Sequence, residues 1–214
     1  MNRNDYFCNW SRVVDFNQMQ KAINQINKLS LRDLCPAYKS IFKAFTLCDY
    51  NDLKVIMLGQ DPYPQRGVAT GILFGNNVAD ASQVSPSLRV ILKAARGEEW
   101  DTGDYDLENW CKQGILMINA SLTTLVGQVG IHGWIWRPFI SSLLKEISLR
   151  NRGLVFILFG KDAQSFESCI SKGNFILKEK HPAYYARLNQ PMPKTVFADT
   201  RKLLEDYWNY KIVY

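Results

Sequence analysis

Five groups of residues in this 214-residue chain carry side chains suited to chemistry on a polar ligand. The first is Gly59-Gln60-Asp61-Pro62-Tyr63. A carboxylate placed directly after an apolar run can act as a base, with Pro62 stiffening the backbone behind it and Tyr63 adding a flat wall. The same residues would also make a turn in which Asp61 caps a helix. The second is Asn119, at the end of Ile115-Leu116-Met117-Ile118. Its amide both donates and accepts, so it can read the polar edge of a base or satisfy a neighbouring backbone group. The third, His181-Pro182, follows the basic stretch Lys178-Glu179-Lys180. Its imidazole can stabilise charge growing on a leaving group, or sit solvated in a loop. Phe74, closing Gly71-Ile72-Leu73-Phe74, can stack on a ring or fill the core. Ser85-Pro86-Ser87 can offer backbone N–H groups to phosphate, and Ser85 is also placed to cap a helix.

These groups need elements to hold them. Unbroken apolar runs at 55–58 (closed by Gly59), 115–118 and 154–159 (followed by Gly160) read as buried parallel strands, with a weaker candidate at 175–177. Helical patterns fall between them, at 16–29, 38–47, 86–96, 137–149, 163–170 and 196–208. Alternation of this kind predicts an α/β fold, with a central, mostly parallel four-stranded sheet flanked by helices. No linker or repeat divides the chain, so residues 1–214 are expected to form a single domain. In open parallel sheets ligands bind beyond the carboxyl ends of the strands. Gln60 to Tyr63, Asn119, Gly160-Lys161 and His181 all follow such ends and are expected to converge on one rim.

Composition narrows the classes. Apolar residues are 47% and charged residues 21% of the chain, which suits a folded domain rather than a disordered one. The formal charge of +6 fits a polyanionic partner, and equally a merely basic protein. Five scattered cysteines without a Cys-x-x-Cys pair give no support to zinc ribbons or thioredoxin-type redox pairs, and are expected as free thiols in a reducing compartment. Two histidines are too few for a histidine-rich metal site. Residues 1–11 lack the apolar run of a signal peptide, and no apolar stretch is long enough to cross a bilayer. The expectation is a cytoplasmic protein without membrane contact.

The five segments, in this order, resemble the family-1 uracil-DNA glycosylases from about Lys54 to about Thr200, with Gln-Asp-Pro-Tyr as the most specific part and Gly127-Gln128 also similar. The resemblance implies hydrolysis of the glycosidic bond of a uracil flipped out of DNA, in base-excision repair, with no metal or cofactor. It implies that Asp61 positions or activates the attacking water and that His181 stabilises the departing base. Asn119 would bind the uracil edge, Phe74 stack on the flipped base, Tyr63 exclude the thymine methyl, and Gln60 help to hold uracil through its backbone. It further implies backbone-gripping loops at Ser85, Pro86 and Ser87 and at Gly160 and Lys161. The partners it implies are uracil-containing DNA, single- or double-stranded, and a proteinaceous inhibitor of the family as one to be tested; a monomer is the simplest expectation. Three positions depart from the pattern. Pro64 stands where histidine is usual, Ala183 lacks a phosphate-contacting hydroxyl, and Tyr185 replaces the leucine that wedges into the duplex. An aromatic wedge can still unstack bases, so Tyr185 is expected at the DNA surface, with an altered preference among DNA forms. Two other readings stay open: a glycosylase for a different modified base, and a DNA-binding accessory protein with little catalysis.

Overall fold

A computed structural model describes Phe7 and residues 9–29 and 31–214. The helices are α1 (Phe16–Ile26), α2 (Lys43–Leu47), α3 (Pro86–Arg96), α4 (Glu108–Cys111), α5 (Gly133–Arg150), α6 (Gly160–Gln164), α7 (Pro182–Leu188) and α8 (Thr195–Trp208). The strands are β1 (Leu34–Cys35), β2 (Val55–Gly59), β3 (Ile115–Asn119), β4 (Thr124–Leu125), β5 (Val155–Phe159) and β6 (Phe175–Glu179).

Four strands form one parallel sheet in the order β3-β2-β5-β6, and β1 pairs with β4 in a short antiparallel ribbon. Every residue of β2, β3 and β5 is buried. That is the consequence of helices covering both faces, and it is why these strands read as unbroken apolar runs. Each Val, Ile, Leu, Met or Phe side chain among them contributes roughly 1.5–3 kcal/mol on burial. At the sheet edge, β6 is only half-buried, which explains its weaker pattern. Registers bring Gly59 beside Asn119 and Phe159 beside Glu179, so the carboxyl ends finish level on one rim.

The helices start where their caps dictate. Asp15 accepts from the amides of Asn17 and Gln18 and turns Met19, Ala22, Ile23 and Ile26 inward. Ser85 caps α3 through the Leu88 amide, with Pro86 in the first turn, as its sequence predicts. α5 begins four residues earlier than the pattern indicates. Pro138 lies inside it on the exposed face, where it removes one backbone bond while Ile135, Trp136 and Phe139 still bury. The 38–47 pattern resolves into a 3-10 turn (Tyr38–Ser40) followed by α2. The 163–170 pattern lies one turn too late: the helix starts at Gly160, directly off β5, and a 3-10 turn closes the segment. Two helices, α4 and α7, and the two short strands β1 and β4 carry no predicted counterpart.

Cys35, Cys48, Cys111 and Cys169 are free thiols; Cys8 lies outside the described residues. No helix among the described residues is long and apolar enough to cross a membrane.

Candidate active site

At the sheet rim lies a cleft of about 380 Å³. Gln60, Asp61, Tyr63, Phe74, Asn119 and His181 all line it, together with Pro64, Ser87, Val129 and Arg187. The sequence therefore names six residues from four separate segments that the fold brings around one opening.

The parallel pairing of β2 and β3 runs past their ends. The Ala120 amide donates to Gly59 O at 2.9 Å and the Ser121 amide to Gln60 O at 3.0 Å. This locks the Gln60-Asp61 turn against Asn119. The Asp61 carboxylate is fixed through Oδ2, which accepts the Gly130 amide at 2.9 Å. Burial pushes its pKa up to about 6, against the lowering effect of that bond; Asp162 raises it further. A carboxylate held dry and ionisable near neutrality is suited to proton transfer or to facing a cation.

Asn119 is buried, and its Oδ1 has no hydrogen-bond partner among the described residues. Leaving a buried acceptor unpaired costs about 1–3 kcal/mol, so this amide keeps unused hydrogen-bonding capacity beside the cleft.

His181 caps α7 with its Nδ1, which accepts the Ala183 amide at 3.2 Å. A nitrogen that accepts carries no proton, so the neutral ring holds its proton on Nε2. Burial, then the nearby Arg187 cation, lowers the pKa of the ring below the ordinary histidine range, against a smaller opposing effect of Asp162. Gly160 makes room for the imidazole: it adopts φ +83°, and a Cβ there would lie 3.0 Å from His181 Cβ.

Phe74 packs edge-on against Phe159 (5.3 Å between centroids) and His181 (5.6 Å). It is one of four described non-glycine residues in the left-handed region, with φ 63°. A phenylalanine holds that conformation only where its surroundings impose it. One part of those surroundings is Asn76, which sequence reasoning misses. It is buried, donates to Phe74 O at 3.2 Å and accepts the Ser85 amide at 2.7 Å. Ser85 Oγ in turn donates to the Tyr63 hydroxyl at 2.7 Å. Enclosure raises the pKa of that phenol to about 12, so it stays protonated. Tyr63, Ser85, Asn76 and Phe74 thus form one connected wall.

The phosphate-facing candidates separate. Pro86 and Lys161 are exposed, and Gly160 is half-buried. Ser85 is occupied by its cap and by Tyr63, while Ser87 is buried against the cleft. The expectation for Tyr185 needs correction. Its ring is 8% exposed and its hydroxyl donates to Glu179 Oε1 at 2.7 Å. The reason is α7: once His181 caps the turn and Pro182 occupies its first position, residues 182 and 185 share the inward face. Tyr184 is the tyrosine that faces out, under the Lys180 ammonium at 4.2 Å. Pro64 meets the cleft and gives its carbonyl to the Gly127 amide at 2.9 Å. Gly130, Val129 and Arg187 belong to the site's surroundings and carry no predicted role, whereas Asp162 continues the Gly160-Lys161 cluster that is expected on the rim. For the loop, the one sequence signal is Val129 and Ile131 alternating with glycines.

By class, this is a ligand-binding α/β domain equipped to cleave a polar bond. Residues 45–210 match the family model described as the uracil DNA glycosylase superfamily. Curated relatives named uracil-DNA glycosylase include that of Leuconostoc citreum, 32% identical over 181 residues (81% of this chain, 82% of the relative). Another, from Streptococcus uberis, is 37% identical over 150 residues, covering 69% and 68%. The fold matches the crystal structure of mimivirus uracil-DNA glycosylase with a TM-score of 0.73 at 20% identity, covering 99% of this chain and 90% of that one. A mimivirus UNG variant solved in complex with UGI gives 0.80 at 21% identity, covering 100% and 88%. The chain belongs to the uracil-DNA glycosylase superfamily.

Proposed function

We propose that this protein excises uracil from DNA by hydrolysing the bond between uracil N1 and the deoxyribose C1′, leaving an abasic site in base-excision repair. The observation that carries this reading is the convergence of a desolvated carboxylate, an unpartnered buried amide oxygen and a neutral imidazole on one slot walled by Phe74 and Tyr63. Uracil presents one N–H between two carbonyls. Asn119 Oδ1 accepts that N–H, and cytosine, with a lone pair there, is refused. Tyr63 closes the side on which thymine carries its methyl, and Phe74 stacks on the ring.

The bond breaks with its electron pair going to the base. Negative charge grows on uracil, and the His181 Nε2–H donates a hydrogen bond to it without needing a net positive charge. Positive charge grows on the sugar, and the Asp61 carboxylate faces it. Water then attacks C1′, and Asp61 takes the water's proton. The Gly160 amide and the Lys161 ammonium grip the phosphate backbone, Pro86 packs beside it without donating, and the surplus of +6 supports binding to a polyanion. Residues 1–214 act as one domain and as a monomer, in the cytoplasm. The mimivirus complexes with UGI support a rim of the kind that a protein inhibitor covers.

The test is release of free uracil from a single-uracil oligonucleotide in EDTA, beside Asp61→Asn. Release that the variant lacks supports the reading. DNA binding without release from single- or double-stranded substrate overturns it, and a panel of modified-base oligonucleotides then separates a different glycosylase from an accessory protein.

A further inference from the structure

Within six residues of chain, the loop from β4 into α5 exposes three large apolar side chains: Val129 (61%), Ile131 (38%) and Trp134 (69%). A single exposed apolar side chain is ordinary, but three within six residues beside a cleft mark a surface for a partner. Two observations say what the partner is. Val129 itself lines the cleft, so the exposed apolar stretch begins at the opening through which a base must enter. Between Val129 and Ile131, Gly130 gives its amide to Asp61, so the loop sits directly beside the carboxylate.

The loop has a firm backing. Gly130 takes a left-handed φ of 81°, and the Gly133 amide donates back to Gly130 O. Behind it, buried His132 places Nδ1 3.0 Å from Thr123 Oγ1, and Trp136 donates to the same oxygen at 2.7 Å. Ile131 lies in the turn and Trp134 in the first turn of α5, three residues further on, and both are exposed. The other candidate for such a surface, Tyr185, is turned into the protein and tied to Glu179.

We propose that Val129, Ile131 and Trp134 form an apolar knuckle that stacks on the substrate base next to the flipped nucleotide and holds open the gap it leaves. Nucleobases offer the flat apolar face that the indole fits, and such stacking tolerates any sequence. The inference rests on the excision reading and assigns the DNA-opening element of that same site. Trp134 is a positioning residue: it touches neither uracil nor the sugar carbon.

The experiment compares wild type, Trp134→Ala and Trp134→Phe on three substrates: a uracil duplex with 2-aminopurine beside the uracil, the same strand alone, and a uracil trinucleotide. Trp134→Ala should lower kcat/KM on the duplex roughly tenfold or more. It should leave the trinucleotide rate near wild type and abolish the 2-aminopurine change on binding. Trp134→Phe should restore most of both. Equal duplex rates for wild type and Trp134→Ala overturn the inference while leaving excision standing. A loss in Tyr184→Ala but not in Trp134→Ala overturns it in favour of α7. A wild type that releases no uracil from any of the three removes the excision reading, and this inference with it.

Discussion

The Ala183 amide donates to His181 Nδ1 at 3.2 Å, which fixes the only proton of the neutral ring on Nε2. With the ring's pKa held low by burial and by Arg187, His181 is neutral at pH 7. Long-range 1H–15N spectra should show an Nε2–H tautomer at that pH, and an imidazolium there would contradict the assigned role. His181→Ala should lower kcat about 10²–10³-fold, with KM changing far less, because the bond strengthens only as charge develops.

Asp61 links activity to pH. Its folded pKa of about 6 lies above the ordinary 3.8, so the folded protein holds this proton more tightly than the unfolded chain. Stability therefore falls as pH rises from about 4 to about 6, and levels off above. Asp61→Asn lacks that fall and should be more stable than wild type at pH 7 by about 1–3 kcal/mol, while losing most turnover and keeping DNA binding. Urea midpoints at pH 4.5 and 7 measure the first; uracil release measures the second. Wild-type kcat/KM should climb through about pH 6 as the carboxylate ionises.

Asn119→Ala removes an acceptor that has no partner among the described residues. Thermal stability should change little, yet free uracil should raise the melting temperature of wild type and not of the variant. An equal shift in both would place the recognition of uracil elsewhere.

Tyr63 separates ring from hydroxyl. Tyr63→Ala should admit thymine, read as thymine release from a T-containing oligonucleotide. Tyr63→Phe keeps the wall and loses the Ser85 bond, so it should still exclude thymine at a cost of about 1 kcal/mol in stability. Thymine excluded by both variants would remove Tyr63 as the gate.

Gly160→Ala tests the packing behind His181. The new Cβ would meet His181 Cβ at 3.0 Å in a backbone conformation that L residues avoid. Activity should drop and stability should fall by about 1–2 kcal/mol, with the His181 resonances displaced. Unmoved resonances would show that the contact does not set the ring's position.

Much of this site was legible because its residues hang from strands that cannot hide. β2, β3 and β5 are buried on both faces, so their apolar runs end where the rim begins, at Gln60, Asn119 and Gly160. The sheet-edge strand β6 was only partly legible, since half of it faces outward. α7 was illegible because seven residues carry less than two full periods; its signal was the His181-Pro182 pair, a cap followed by a first-turn proline. That missed helix is why Tyr185 was expected outside. Backbone donors such as Gly130 leave no mark in side-chain patterns, and Asn76 is a single polar residue whose side chain is held by Phe74 and Ser85.

Phe74, locked at a positive φ between Phe159 and His181, has a wider consequence. A slot with one wall held in this way needs little rearrangement there to receive a flat ring. The selection among damaged sites then passes to the nucleic acid, to how readily each nucleotide leaves its neighbours. Uracil opposite guanine should be removed ahead of uracil opposite adenine, and loosely stacked strands ahead of stiff ones, with no side chain distinguishing between them.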